Sequence, residues 1–493
     1  MPVPGDPRRL ASLSLPHTTV DSVVEDPGDA TTPASCRVQL TLTHPPAGDR
    51  VTAWVHLPTT SWNGRFQGVG GGGFLGGSPE FLLDPLRAGY ACAATDAGHP
   101  GATASFALDA RGRLDWQAIR DFGHVGIHDM TVAAKAVVTA YYGQPPAYSY
   151  FTGCSTGGRQ GLMAVQRYPA DYDGVLSGAP AINWPRMQVG QIWGQLVMLE
   201  SGTFVSAAKF EAALAAIVAA HDTVGDGVRD RVIGDPLAAD VDLSALVGLP
   251  SPDGALTAAE VEVIGLIGQG PRRRDGSFLW YGLAPGAPFA GLHDTAVVDG
   301  ELVGQPFAFD LWWIGLFLEQ DPAWDWRTLT REAFEAYFDR SVEMYSAVLA
   351  ADDPDLSAFA DRGGRALLWH GAADFGIPFQ GTVDYYERVR ARMGAERADE
   401  FLRLFLAPGV GHCGGGAGPQ PTGQFEALVA WVEHGTPPEE IPAVRTAEDG
   451  AVLQTRPVYA YPGVARWTGE GDPDDAASFT RAEGTRLVLP PGR

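Results

Sequence analysis

Residues 148–167 restrict the fold of this chain more than any other stretch. Tyr148-Ser149-Tyr150-Phe151-Thr152 reads as a strand, Gly153-Cys154-Ser155-Thr156-Gly157 follows as G-x-S-x-G, and Arg159 to Arg167 suits a helix. A serine on such a strand–turn–helix corner is a nucleophile elbow. The tight turn lifts the hydroxyl clear of a sheet, and the glycines leave room for close packing. Far along the chain, His412 is followed by Cys413, just as Ser155 is preceded by Cys154. If Ser155 and His412 meet for proton transfer, the two thiols come close enough to bridge. Closing a loop of roughly 260 residues would stabilise the fold by about 5 kcal/mol, less any native strain.

The segments around this corner alternate strand and helix. Cys36 to Leu42, Val51 to Leu57, Arg65 to Val69 and Tyr90 to Thr95 read as strands, and Asp129 to Tyr142 as a helix. Gly174 to Ser177, Ala366 to Trp369 and Leu402 to Leu406 read as further buried strands. This alternation predicts an α/β fold with a mostly parallel sheet covered on both faces. The middle of the chain differs, with helical segments at Ala207 to Ala220, Thr257 to Ile267 and Arg331 to Ala350 among long Pro/Gly-rich loops. The expected organisation is a core over residues 1–184, an inserted lid over 185–355, and the rest of the core with a loop-like, Pro-rich tail over 356–493. Trp312, Trp313, Trp324 and Trp326 of the lid suit either its own packing or an aromatic wall over a site.

At 493 residues the chain exceeds one ordinary core. Its net charge of −24 disfavours nucleic acid and anionic membrane, which need clustered Lys and Arg. No apolar run is long enough to span a bilayer. The opening residues lack the apolar core of a secretory signal, which tilts the expected compartment toward the cell interior and leaves a processed secreted form open. Four cysteines do not make a disulfide scaffold.

Serine needs an adjacent base, and the base needs an orienting acid. The order Ser…Asp…His points to Asp374, after Leu367-Leu368-Trp369-His370-Gly371-Ala372-Ala373, and to His412, after Ala407-Pro408-Gly409-Val410-Gly411. Both stand just past apolar strands, where open α/β sheets gather their sites. His99, His124, His128 and His370 read as structural. Backbone N–H groups of Thr156 and of Gly72 or Gly73, in the Gly70-Gly71-Gly72-Gly73 loop, are the oxyanion donors expected. Gly68-x-Gly70-x-x-Gly73 also matches a dinucleotide loop formally, but no amphipathic helix clearly follows it. In the lid, Asp222, Asp226 and Asp230 lie four apart around a Gly turn. With the carbonyls of Val228 and Val232 they suit either a Ca²⁺ shell without the terminal Glu of an EF-hand or a solvated acidic turn.

With these motifs the chain resembles the tannase/feruloyl esterase family, which includes mono(hydroxyethyl) terephthalate hydrolases. The resemblance rests on Gly153 to Gln160, Gly371-Ala372-Ala373-Asp374 and Pro408 to Gly416, with weaker matches at Ala91 to His99, Gly270-Pro271, Arg456-Pro457 and Tyr461-Pro462. It implies an α/β-hydrolase fold with a large lid, a Ser155–His412–Asp374 triad and a Cys154–Cys413 disulfide. It also implies a lid Ca²⁺ on Asp222, Asp226, Val228, Asp230 and Val232, with Gly225 as one extra residue in that loop. Other cysteines of the family are missing: His221 stands beside the calcium loop, Tyr459 and Thr480 replace the carboxyl-terminal pair, and Cys36 lacks an N-terminal partner near Arg8 and Arg9.

The expected activity is therefore hydrolysis of small-molecule esters of aromatic acids (feruloyl, galloyl or hydroxycinnamoyl) through an acyl-enzyme, with no catalytic cofactor. The alternatives are a mono(hydroxyethyl) terephthalate-type hydrolase, an acyltransferase on the same triad, and a non-catalytic binder of aromatic ligands. Oligomeric state is left open.

Overall fold

The computed structural model describes residue 5 and residues 7–490; part of the opening stretch read for a leader lies outside them. The chain divides into two compact units. The first comprises Met1–Ile182, Ala347–Leu367 and Leu428–Gly435, and the second Asn183–Ser346, Leu368–Ala427 and Thr436–Arg493.

The first unit is built on strands β1 (Thr18–Asp26), β2 (Ser35–Leu42), β3 (Val51–Pro58), β4 (Arg65–Val69), β5 (Ala91–Thr95), β6 (Tyr148–Cys154) and β7 (Gly174–Gly178), in spatial order β1-β2-β3-β5-β4-β6-β7. The β1–β2, β2–β3 and β3–β5 pairs are antiparallel; β5–β4, β4–β6 and β6–β7 are parallel. The pattern along each strand reflects its place. In β3, Val51, Ala53, Val55 and Leu57 are buried and alternate with partly exposed residues, whereas β5 is buried throughout as Ala-Cys-Ala-Ala-Thr. Small residues there admit the helix Gly126–Tyr142, which packs on β5 and ends where Gly143 adopts φ 76°. The helix Thr156–Arg167 packs on β6 and β7, with every residue from Thr156 to Val165 buried.

In the second unit, helices Trp193–Ser201 and Ala258–Gln269 pack together, and Thr257 and Glu260 close a capping box at the start of the latter. A hairpin of β8 (Thr295–Val298) and β9 (Glu301–Gly304) follows. Strand β10 (Arg365–Gly371) enters this unit at Leu368, and β11 (Leu402–Ala407) lies beside it. The tail, expected to be loop-like, instead forms strands. Strands β12 (Gln420–Pro421), β13 (Glu440–Thr446) and β14 (Val452–Tyr459) make an antiparallel sheet, and β15 (Gly463–Trp467) pairs with β16 (Phe479–Glu483). Prolines hid these strands. Pro442 faces Pro457 across the ladder, and opposed prolines fit a non-hydrogen-bonded pair, whose N–H groups would point away from it. Among the described residues, no helix is long and apolar enough to cross a membrane.

Candidate active site

Ser155 occupies the sharp corner that the sequence predicts. Strand β6 ends at Cys154, the next helix starts at Thr156, and Ser155 between them has φ 61° and ψ −121°. Such backbone costs about 1–3 kcal/mol and persists only where its surroundings hold it. Here the Ser155 N–H donates to Gly178 O (2.9 Å), while Ser155 O accepts from Arg159 N (3.0 Å) and Ala181 N (3.1 Å). The two motif glycines are required by contact. A Cβ at Gly153 would stand 2.5 Å from Gly157 C, and one at Gly157 would stand 2.9 Å from Gly71 O.

The glycine loop after β4 is fastened to this corner. Gly157 N–H donates to Gly71 O (3.0 Å), and the Thr156 hydroxyl donates to Gly73 O (2.5 Å). Gln160 extends the fastening, its Oε1 accepting from Gly71 N and its Nε2 donating to Gly76 O, both at 2.9 Å. Of the two expected donors in the loop, Gly72 is excluded. Its N–H closes a tight turn onto Leu75 O (3.1 Å), so Gly73 and Thr156 are the pair whose N–H groups find no protein acceptor among the described residues. The dinucleotide reading fails here too: β4 leads into this turn, and the next element is a short 3₁₀ segment at Pro79–Leu82. Gln160 is buried five residues after the serine, and residue type alone does not announce its role.

In the second unit, Asp374 and His412 meet. His412 Nδ1–H donates to Asp374 Oδ2 at 2.7 Å. With that proton on Nδ1, Nε2 is left as the basic nitrogen. The loops carrying them are stitched together, with Ala372 N–H on Ala407 O (2.8 Å) and Ala373 N–H on Val410 O (2.9 Å). Asp374 is fully enclosed by donors. Oδ1 accepts from the N–H groups of Gly376 (2.8 Å) and Ile377 (2.9 Å), and Oδ2 also accepts from His370 Nε2 at 3.0 Å. Burial raises this carboxyl, but the bonds from His370 and His412 outweigh it and hold it well below the ordinary carboxylate range. His370 is thus more than a packing residue. Its Nδ1 accepts from the Thr382 hydroxyl (2.8 Å), which fixes the Nε2 proton toward Asp374. His99, His124 and His128 lie in the first unit, bonded to Phe74 O, Tyr168 Oη and Asp171 respectively.

A cavity of about 840 Å³ adjoins His412 and is lined by Ala373, Phe375, Leu214, Val218, Ile233 and Pro288, among others. None of Trp312, Trp313, Trp324 and Trp326 lines it. Trp313 is instead buried against Phe317 and Tyr345, so packing is its role.

The acidic loop at Asp222 to Val232 is tightly organised. Asp222 Oδ1 accepts the N–H groups of Asp230 (3.1 Å), Arg231 (2.7 Å) and Val232 (3.2 Å). Asp226 Oδ1 accepts from Val228 N (3.0 Å), and Asp230 Oδ2 accepts from Arg456 Nη2 (2.6 Å) and Gln454 Nε2 (3.0 Å). Burial, together with the nearby Asp230 and Asp222 charges, pushes the Asp226 carboxyl up to about 6. The extra Gly225 has φ 94°, and a Cβ there would lie 2.4 Å from Asp235 N. His221 spans two carbonyls, those of Ile217 at Nδ1 and Asp240 at Nε2.

Cys154 and Cys413 are disulfide-bonded, while Cys36 and Cys92 are buried free thiols. As these four are all the cysteines of the chain, the bridge joins the residue before Ser155 to the residue after His412.

Comparison with known proteins gives one answer. A family described as "Tannase and feruloyl esterase" matches residues 36–482. A probable feruloyl esterase of Arthroderma benhamiae is 39% identical over 485 residues, covering 96% of this chain and 88% of that protein. The mono(2-hydroxyethyl) terephthalate hydrolase of Piscinibacter sakaiensis is 30% identical over 508 residues, covering 85% and 80%. The solved structure of tannin acyl hydrolase from Aspergillus niger superposes with a TM-score of 0.88 at 25% identity, covering 98% of this chain and 97% of that one. The fold is that of the α/β-hydrolases and the activity that of a carboxylic ester hydrolase. The chain belongs to the tannase and feruloyl esterase family.

Proposed function

We propose that Ser155, His412 and Asp374 act as one triad that hydrolyses esters of aromatic acids through an acyl-enzyme. The strained backbone of Ser155 carries this reading, because little else calls for a serine at φ 61° between a strand and a helix. The Asp374–His412 hydrogen bond supports it, and so does the disulfide between the neighbours of Ser155 and His412. Ser155 Oγ attacks the ester carbonyl as His412 Nε2 takes its proton. The N–H groups of Gly73 and Thr156 receive the oxyanion, and His412 returns the proton to the leaving alcohol. Water then repeats the sequence on the acyl-enzyme and frees the acid.

The aromatic acyl group is supported by the names of the relatives and by the apolar cavity beside His412. A panel of methyl ferulate, methyl gallate, chlorogenate, mono(2-hydroxyethyl) terephthalate and an aliphatic methyl ester tests it. At least one aromatic substrate is expected to exceed the aliphatic ester in kcat/KM by roughly 10- to 200-fold, the range available to apolar pocket contacts. Equal turnover of all five would sink the aromatic assignment and leave the esterase intact.

The same reading includes Ca²⁺ in the lid, held by Asp222, Asp226 and Asp230 with the Val228 and Val232 carbonyls. Asp222 and Asp226 each keep one oxygen outside the bonds described, and a cavity of about 50 Å³ lined by Asp226, Asp230 and Val232 leaves room for an ion. The ion would offset the repulsion between the buried Asp226 and its half-buried neighbours Asp222 and Asp230, and take no part in the chemistry. Chelation is expected to lower Tm, with CaCl2 restoring it, while turnover per folded enzyme stays constant. An unchanged melting curve would count against the ion.

A further inference from the structure

A second polar cluster lies in the first unit, in the β2–β3 connection and the segment leading into helix Gly126–Tyr142. His44 follows β2, Asp49 precedes β3, Asp121 stands in a π-helical turn at Asp121–Val125, and Asp129 is in the first turn of the helix. His44 Nδ1 is 2.6 Å from Asp49 Oδ2 and 3.6 Å from Asp121 Oδ1, while Nε2 is 2.5 Å from Asp129 Oδ2. We propose that His44, Asp49 and Asp121 bind one divalent transition-metal cation, with Asp129 orienting the imidazole.

Convergence comes first. One ligand atom from each of His44, Asp49 and Asp121 lies within 4.8 Å of the other two. Metal–nitrogen and metal–oxygen bonds near 2.0–2.2 Å put ligands of one tetrahedral ion about 3–3.5 Å apart, so small side-chain shifts suffice. The second observation concerns Asp121, whose side chain is wholly buried. Oδ1 accepts from Gln117 Nε2 (2.8 Å), whereas Oδ2 is buried and has no hydrogen-bond partner among the described residues. A buried carboxylate with one oxygen left bare is costly, and a cation bound through Oδ1, the oxygen nearest His44, would offset the charge of that carboxylate. The arrangement of the other groups agrees. Asp49 Oδ1 is fixed by the His44 N–H (2.9 Å), leaving Oδ2 as its ligand atom. Asp129 on Nε2 reproduces the carboxylate–histidine–metal relay, and the ion would take the place of the proton that Nδ1 now holds toward Asp49 Oδ2. Three carboxylates face one imidazole, so a divalent charge balances the cluster better than a proton does. One imidazole among carboxylates suits Zn²⁺, Mn²⁺ or Co²⁺ over Ca²⁺, which separates this site from the lid loop. The bound ion would clamp the β2–β3 connection to the helix.

The test uses the full chain, stripped with chelator and returned to CaCl2. Titration with CoCl2 is expected to give a visible d–d absorption that saturates at one equivalent and is abolished by ZnCl2, and ZnCl2 is expected to raise Tm. His44→Gln and Asp49→Asn should remove the absorption. Asp129→Asn should weaken binding about 10–100-fold, as for other orienting partners of metal-bound histidines. Asp226→Asn should leave it unchanged. A wild-type titration without saturable absorption overturns the proposal, as does a signal that survives His44→Gln but is lost in Asp226→Asn. The wild-type titration decides by itself if a variant fails to fold.

Discussion

Ser155→Ala is expected to lower kcat on the best ester of the panel by about 10⁵–10⁶-fold, the size of effect seen when a triad nucleophile is removed. The fold should survive. Alanine keeps the Cβ, and the bonds that fix this corner run through the backbone of residue 155 to Gly178, Arg159 and Ala181. Melting temperature should therefore stay near that of the wild type, and mass analysis should find the Cys154–Cys413 bridge intact. Ser155→Gly, equally inactive, should melt higher than the alanine variant, because glycine adopts φ 61° without the strain of a Cβ. Activity retained in Ser155→Ala would remove the serine from the chemistry.

Asp374→Asn should lower kcat by about 10⁴-fold. The enclosure of Asp374 explains why an almost isosteric change has that effect. Gly376 and Ile377 present two N–H donors to Oδ1, so an asparagine would keep its carbonyl oxygen there and turn its amide toward His370 and His412. Both rings now donate to Oδ2. His412 could meet an amide only by accepting at Nδ1, which moves its proton to Nε2 and leaves Ser155 without a base. The variant should also be less stable, with a definite pH dependence. A carboxyl held below its ordinary value contributes stability that is present above the ordinary carboxylate range and lost as the pH falls through its lowered value. The Tm gap between wild type and variant should thus be widest near neutrality and close in acid. A gap that widened in acid would contradict the assignment.

Much of this site could be read from the sequence because its chemistry rests on local turns. Ser155 needs a G-x-S-x-G corner, and both Asp374 and His412 follow short apolar strands with Gly-rich exits, so sequence spacing carried the information. The missing parts depend on distant contacts. That Gly72 is unavailable as a donor follows from a bond to Leu75, and the role of Gln160 from its reach to Gly71 and Gly76. His370 reads as structural in the sequence because its bond to Asp374 requires a bend after β10 that residue types do not announce. The tail strands were missed for a different reason. Proline usually argues against a strand, and only the facing positions of Pro442 and Pro457 remove that objection.

The state of the sulfurs has a practical consequence. Burial, aided by Glu25, pushes the Cys36 thiol up to about 11, and burial raises Cys92 as well, while the remaining two are joined to each other. Near neutral pH the native protein therefore offers maleimides no accessible thiolate. A cysteine introduced at Val297, 71% exposed on the β8–β9 hairpin, would be the sole point of attachment for a fluorophore, with no need to delete any natural cysteine first.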